Sequence, residues 1–352
     1  FDKAIALDSA FTPAYIHAIE MAFRYGTANG RRYLAAYLSH NPTDVDAEGM
    51  RLLARLADPK LANTAETRTM LDTASADQLQ HAASASVEWG DSAETNVRLA
   101  RLIASGRKAN FAGFGDSLTR ERRLAFALLL RGHAKEALTV HRSAETLLGA
   151  SMAGEIPAAQ ADSAVLALLM KGQTCGPCAI SLWGIMGDTM PIKVVMHVAD
   201  SMMKLSHSPD EVHEIGYSVD LARTYLTLAR RDTAGAIRQF AALPDSSCHS
   251  CGWGWITQAV LLSSQGHNAE AAAILDEVGM LNSSLGVYVE LERGRIAEKL
   301  GDKARARDAY AFVGDMWQNG DPYFKQISSA ARERLKHLSD DNSATKIPIR
   351  KP

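Results

Sequence analysis

The sequence predicts an all-α protein built from stacked helical hairpins. Three observations predict this class. In the last third of the chain alanines recur every 35 residues, a glycine or arginine stands five residues before each, and a large side chain follows four residues after. The composition agrees, because aromatic residues make up only 7% of a chain that is 47% hydrophobic, and this balance suits closely packed helices better than sheets.

The repeat can be aligned position by position. The alanines are Ala236, Ala271 and Ala306, and the large residues after them are Phe240, Leu275 and Tyr310. The residues five positions before the alanines are Arg231, Gly266 and Gly301. Trp255 lies eleven residues before the middle glycine, and Gly294 lies seven residues before the last one. Glycine supplies a turn conformation that other residues resist, whereas small residues let two helices approach closely.

This pattern resembles the tetratricopeptide repeat. That family has an aromatic and a small residue in its first helix, glycine at the hairpin turn, and alanine followed by an aromatic in its second helix. The resemblance implies a right-handed superhelical α-solenoid of antiparallel helix hairpins, because a single hairpin cannot bury its apolar face alone. It is strong over 210–320 and weaker over 1–58 and 120–150, where Gly132 and Ala137 repeat the glycine-to-alanine spacing.

The expected organisation has three parts. Divergent, irregular hairpins occupy 1–210, regular repeats occupy 211–337, and a polar, disordered tail occupies 338–352. Within the first part, helix starts are predicted at 63–66 and 91–94, where a polar residue is followed three positions later by Glu. The region 150–210 is expected to be irregular because Pro157, Pro177 and Pro191 interrupt its pattern.

The beginning of the chain reads as the end of a repeat. Residues 1–8 match the end of a second helix, with Phe1 in the position of its aromatic residue. We therefore expect the chain to be part of a longer protein and to expose an apolar patch near Phe1.

The four cysteines form two C-x-x-C pairs, Cys175 with Cys178 and Cys248 with Cys251. Four thiolates could hold zinc, although the 69 residues between the pairs exceed the usual spacing. A disulfide within each pair would fit an oxidising compartment. A third alternative is a thiol-disulfide oxidoreductase that uses Cys175 and Cys178, since Cys-Gly-Pro-Cys is the active-site tetrapeptide of thioredoxins. Four unreactive thiols are the fourth alternative, and no other cofactor is indicated.

The tetratricopeptide resemblance also implies a concave groove lined by the first helix of each hairpin. Its positions in this sequence are Leu221, Tyr225, Trp253, Ile256, Val260, Leu291 and Arg295. Some co-chaperones of the family bind a terminal carboxylate with Lys and Asn at such positions, and the apolar residues here depart from that pattern. An apolar groove with one arginine suits a hydrophobic peptide or a helix. The alternative is that Tyr225 and Trp253 only pack between hairpins.

Several function classes find no support in the sequence. It contains no H-E-x-x-H, no phosphate-binding G-x-x-x-x-G-K-[ST] and no G-x-S-x-G. The formal net charge of −2 argues against binding nucleic acid. The longest uncharged stretch, residues 246–269, is too polar to span a membrane. We therefore expect a protein that is not an enzyme, and whose partner is a protein or peptide.

The general texture of the chain suggests a sensory context. Its Ala- and Arg-rich repeats with C-x-x-C loops resemble the C-terminal sensory regions of bacterial membrane-linked serine/threonine kinases and transcriptional activators. This resemblance implies a signalling scaffold with a kinase or DNA-binding domain upstream in the same chain. Disulfide-bonded cysteines would place it outside the cytoplasm, whereas zinc or free thiols would favour the cytoplasm.

Overall fold

The computed structural model describes residues 1–24, 29–43, 47–57, 60–61, 64–75, 78–79, 82, 97, 101, 117–171, 176–205, 208–243, 252–277 and 284–343. These residues form 18 helices and no strand, so the predicted all-α class is confirmed. Two compact units divide the chain, Phe1–Arg131 (unit 1) and Gly132–Pro352 (unit 2).

Unit 1 contains α1 (Asp2–Leu7), α2 (Thr12–Arg24), α3 (Asn29–His40), α4 (Ala47–Ala57), α5 (Ala65–Thr73) and α6 (Ser117–Leu130). Consecutive helices pack on each other from α1 to α5. Their core includes Tyr15, Tyr37, Met50 and Leu71. Phe1, Leu7 and Phe11 are exposed, as expected for an apolar surface near Phe1.

The start of α5 confirms the helix start predicted at 63–66. Thr64 is the N-cap, and its hydroxyl oxygen accepts a hydrogen bond from the Thr67 N–H at 3.3 Å. Arg55 of α4 donates to the Thr67 hydroxyl at 2.9 Å and pairs with Glu66 at 2.6 Å. The first bond satisfies one of the N–H donors that a helix start leaves without an intrahelical partner, and the two Arg55 bonds join α4 to the start of α5. The start predicted at 91–94 lies outside the described residues.

Unit 2 holds the remaining helices. They are α7 (Ala134–Val140), α8 (Ala144–Met152), α9 (Ala158–Met170), α10 (Gly176–Met186), α11 (Thr189–Leu205), α12 (Pro209–Ala229), α13 (Thr233–Ala241), α14 (Gly252–Ser264), α15 (Asn268–Glu277), α16 (Ser284–Leu300), α17 (Lys303–Met316) and α18 (Pro322–Ser343). α18 continues to Ser343, past the start predicted for the tail, and residues 344–352 lie outside the described part of the chain.

The prolines of the region 150–210 start helices there. Pro157 is the N-cap of α9, and Pro177 and Pro191 lie in the first turns of α10 and α11. Proline is tolerated in a first turn because its missing N–H would have no intrahelical acceptor there. The three prolines therefore lie at the starts of three consecutive helices.

Three hairpins follow the aligned repeat, α12/α13, α14/α15 and α16/α17. The turn residues Arg231, Gly266 and Gly301 have φ angles of 66°, 87° and 78°. This is the left-handed region that the repeat alignment requires at the turn. Ala236, Ala271 and Ala306 are fully buried in the second helices, and Phe240, Leu275 and Tyr310 are buried after them.

The small residue in the first helix also has the expected role. A Cβ at Gly294 of α16 would lie 2.8 Å from Cε1 of Tyr310 in α17, closer than carbon atoms pack. The absence of a side chain at Gly294 therefore lets the Tyr310 ring rest on the α16 backbone.

A row of aromatic rings connects successive helices of unit 2. Trp253 of α14 contacts Tyr288 of α16 with ring centroids 5.1 Å apart. Tyr288 contacts Trp317 at 4.9 Å, and Trp317 contacts Phe324 of α18 at 5.0 Å. Trp255, the aromatic of the sequence alignment, is half-exposed, and Trp253 is the tryptophan of α14 that is buried. Trp253 packs inside in place of Trp255 because residues two apart point to different faces of a helix.

Candidate functional site

Unit 2 contains a cavity of about 810 Å³ between α14, α16 and α18. Its apolar lining comes from Val260, Leu291, Ile327, Ala330 and Ala331, and its charged lining comes from Glu292, Arg295, Glu298, Lys299 and Arg334. The volume falls within the range of sites that hold a small molecule or a few side chains of a partner.

Helical periodicity explains how these residues reach one cavity. On α16 the lining positions are 291, 292, 295, 298 and 299, and on α18 they are 326, 327, 330, 331 and 334. Steps of three and four residues place side chains on one face of a helix. The cavity is therefore bounded by one continuous stripe from each of the two helices, together with Val260, Ser263 and Ser264 of α14.

The charged side chains are joined in two pairs. Arg295 Nη1 donates to Glu292 Oε1 at 2.5 Å, and Arg334 Nη1 donates to Glu298 Oε1 at 3.0 Å. The hydroxyl of Tyr310 donates to the other oxygen of Glu298 at 2.8 Å. The second pair thus links α16, α17 and α18 through one carboxylate.

Lys299 has a different set of partners. Its ammonium group donates to the hydroxyl oxygen of Ser263 at 2.7 Å and to the backbone carbonyl of Ser263 at 3.3 Å. The lining therefore contains three cationic and two carboxylate side chains, which leaves one net positive charge.

The carboxylates lie deeper in the cavity than the arginines that pair with them. The side chains of Glu292 and Glu298 are 14% and 31% exposed, whereas those of Arg295 and Arg334 are 55% and 62% exposed. The guanidinium groups consequently form the rim. Each guanidinium carries five N–H donors in a fixed plane, so donors remain on each arginine besides those that hold its carboxylate.

Burial changes two titrating groups of the cavity. Loss of hydration raises the pKa of Glu292, and the nearby Arg295 and Lys299 only partly oppose this effect. Burial and the hydrogen bond to Glu298 raise the pKa of Tyr310. Tyr310 is therefore a neutral hydrogen-bond donor at physiological pH.

The predicted groove residues separate into two groups. Val260, Leu291 and Arg295 line the cavity. Leu221, Tyr225, Trp253 and Ile256 are buried in the core of unit 2. The hydroxyl of Tyr225 bonds to Thr257 Oγ1 at 2.9 Å, and burial raises the pKa of Tyr225 to about 12. Tyr225 and Trp253 are therefore packed between helices, as the packing alternative describes.

The repeat pattern does not mark five other residues of the cavity as site residues, namely Glu292, Glu298, Lys299, Tyr310 and Arg334. The spacing of Glu292, Glu298 and Lys299 from Arg295 could have indicated these three residues, since side chains three or four apart share a helix face. Arg334 carried no such signal, because α18 follows the last turn that the repeat alignment identifies.

The described part of the chain includes one of the four predicted metal or disulfide residues. Cys178 is buried in the first turn of α10, and its thiol donates to Glu145 Oε1 at 3.8 Å. Cys175, Cys248 and Cys251 lie outside the described residues, so the zinc, disulfide and redox alternatives remain predictions. Within the described residues no group of three or more His, Cys, Asp or Glu side chains could hold a metal ion.

A membrane-spanning helix must be both long and apolar. None of the described helices combines sufficient length with sufficient apolar character to cross a bilayer.

Comparisons of this chain with protein families, with curated proteins and with solved structures find no match. The fold and the cavity therefore define the class of protein to which this chain belongs. It is an all-helical protein with a repeat-like helical architecture, and the second of its two units contains a charged, partly apolar cavity.

Proposed function

We propose that this chain is a binding module of the tetratricopeptide type, whose hairpins form an α-solenoid and whose cavity between α14, α16 and α18 takes a segment of a partner protein. Three features support the solenoid. The left-handed turns, the buried alanines and the buried large residues recur at the spacing that the family uses.

The observation that carries the proposed activity is the placement of charge in the cavity. Apolar side chains of α14, α16 and α18 share the lining with two exposed arginines at the rim. Apolar surface favours burial of an apolar side chain, and guanidinium donors favour a carboxylate. The partner segment is therefore one that carries an acidic residue next to an apolar residue.

The carboxylates inside the cavity strengthen this choice of partner. Glu292 is held by Arg295, and Glu298 is held by Arg334 and Tyr310. A basic segment would have to displace these internal pairs, whereas an acidic one can use the outward donors of both arginines. Opposite charge at the rim also speeds encounter and makes it sensitive to salt.

A peptide display library tests the proposal, since selection from random sequences requires no choice of partner. The full chain is immobilised, random 12-residue peptides are selected on it, and the enriched sequences are measured by fluorescence anisotropy. We expect enrichment of Asp or Glu beside Leu, Ile, Val or Phe. Substitution of both rim arginines, R295A with R334A, should weaken binding at least tenfold, because each charge-assisted hydrogen bond is worth about 1.5–3 kcal/mol.

A matched control distinguishes the effect of the rim arginines on peptide affinity from a general effect of surface charge. Arg223 of α12 is exposed and pairs with Asp220 at 2.9 Å, as Arg334 pairs with Glu298. R223A should leave peptide affinity unchanged. The proposal is wrong if the selected peptides are basic or purely apolar, or if R223A weakens binding as much as the double rim variant.

A further inference from the structure

Asp321 joins the first and the last described helices of unit 2. Its backbone N–H donates to the Gly132 carbonyl at 2.8 Å. One of its carboxylate oxygens, Oδ2, accepts from the Lys135 N–H at 3.0 Å, across a separation of 186 residues. Hairpins in an open array contact only their neighbours, so the repeat spacing did not predict this contact.

The carboxylate of Asp321 supplies a cap that α7 lacks locally. The N-cap residue of α7 is His133, whose side chain makes no capping hydrogen bond. Other helices of unit 2 are capped from their own sequence, α13 by Asp232 and α17 by Asp302. Lys135 lies in the first turn of α7, where backbone N–H groups have no intrahelical acceptor. Asp321 therefore caps α7 from a distant part of the chain.

The same residue also begins α18. The Asp321 carbonyl accepts from the Lys325 N–H at 3.0 Å, which is the first helical hydrogen bond of α18. One residue thus serves two helix starts, α18 through its backbone and α7 through its side chain.

Packing between Phe324 and Gly132 reinforces this junction. Phe324 is buried, and a Cβ at Gly132 would lie 2.7 Å from the Phe324 Cβ. Gly132 has a φ of 74°, a conformation in which other residues are strained. Phe324 is also the end of the aromatic row that runs back to Trp253. The junction therefore has a polar part at Asp321 and an apolar part at Phe324.

We infer that Asp321 closes unit 2 on itself and acts as the positioning residue of α18. We call the contacts of Asp321 with Gly132 and Lys135 the clasp. α18 supplies one wall of the cavity, including Ile327 and Arg334. The clasp holds the N-terminus of this wall against the start of α7 and thereby sets the position of Arg334 opposite Glu298.

Hydrogen exchange measured by mass spectrometry on the full chain tests the clasp. In D321A the amides of α7 and of the first turns of α18 should exchange about fivefold faster than in the wild type, as expected for loss of one cap. The matched control is D302A. Asp302 caps α17 through the Arg305 N–H at 3.0 Å, within its own hairpin, so D302A should accelerate exchange in α17 and leave α7 unchanged.

A conservative variant separates the positioning role from loss of folding. D321N retains a side-chain oxygen that can cap α7, so α7 should keep wild-type protection in D321N. The inference is overturned if D321A leaves α7 protected, if D302A exposes α7 equally, or if D321N exposes α7 as D321A does.

The expected effect of the clasp on peptide binding rests on the proposed function, and it is measured separately as peptide affinity. A peptide selected from the display library should bind D321A more weakly than D302A. Because the exchange experiment requires no ligand, loss of α7 protection with unchanged peptide affinity would support the clasp and contradict its role in positioning the wall.

Discussion

Arg231 occupies the turn between α12 and α13 with a φ of 66°, and it is the only non-glycine residue with a positive φ in the described part of the chain. The equivalent turns hold Gly266 and Gly301. A side chain in this region costs about 1–2 kcal/mol because its Cβ crowds the neighbouring carbonyl. At the residue scale, therefore, this turn keeps the left-handed conformation of the repeat although arginine is less suited to it than glycine.

Substitution of this arginine should stabilise the protein. R231G removes the strain at the turn, and part of that gain is offset by the greater freedom of glycine in the unfolded chain. We expect a net increase of about 0.5–1 kcal/mol in the free energy of unfolding, measured by urea titration. R230G is the control, since Arg230 has an ordinary φ of −81°, and that change should destabilise. Equal effects of the two substitutions would contradict the argument.

At the scale of elements, close approach between helices depends on particular glycines. A Cβ at Gly184 of α10 would lie 2.1 Å from Cδ1 of Tyr225 in α12. Tyr225 is buried, bonds to Thr257 of α14, and makes a T-shaped contact with the Phe240 ring, with ring centroids 5.4 Å apart. Its ring therefore has little room to move, and Gly184 sets the spacing between α10 and α12.

Alanine substitution at two helical glycines should have opposite effects. G184A is expected to lower the free energy of unfolding by about 1–3 kcal/mol, the usual cost of an overpacked core. G216A in α12 places its Cβ in open space and should raise stability by about 0.5–1 kcal/mol, because alanine favours the helix. Urea titration of both variants measures the difference. A neutral G184A would show that helix spacing is not set at Gly184, and a destabilising G216A would contradict the open space at Gly216.

At the scale of the whole molecule, the dependence of stability on pH follows from a carboxyl pair in unit 2. Burial, and then a hydrogen bond with Asp188, raise the pKa of Asp162 to about 6, although the Trp183 indole donates to Asp162 at 2.7 Å. The folded state therefore holds the proton of Asp162 more tightly than the unfolded state. This contribution to stability is fully present below pH 4 and is lost as the pH rises towards 6.

D162N should remove this part of the pH dependence. We expect the free energy of unfolding of the wild type to fall between pH 4 and pH 6 more steeply than that of D162N. The measurement is urea unfolding followed by tryptophan fluorescence, which reports mainly on unit 2 because four of the five tryptophans lie there. D220N is the control, since Asp220 is an exposed partner of Arg223. Equal pH slopes for the wild type and D162N would refute the assignment.

The sequence alone predicted features that depend on local periodicity. The helical class, the turn positions 231, 266 and 301, the buried alanines and the start of α5 are confirmed by the structure. Each follows from the conformational preference or size of a residue and its near neighbours. Val260, Leu291 and Arg295, which the repeat register assigns to the predicted groove, line the cavity, and their part in binding stays a prediction.

The tertiary structure decided which residues from distant segments are buried or in contact with each other. Sequence spacing could not show that Trp253 is buried and Trp255 half-exposed, that Arg334 of α18 meets Glu298 of α16, or that Asp321 caps α7. These outcomes depend on which faces of separate helices meet, and that is set by packing of the whole core. A repeat pattern therefore determines the helices and their turns, whereas the cavity and the clasp exist only once the helices have packed, because their atoms come from residues far apart in the chain.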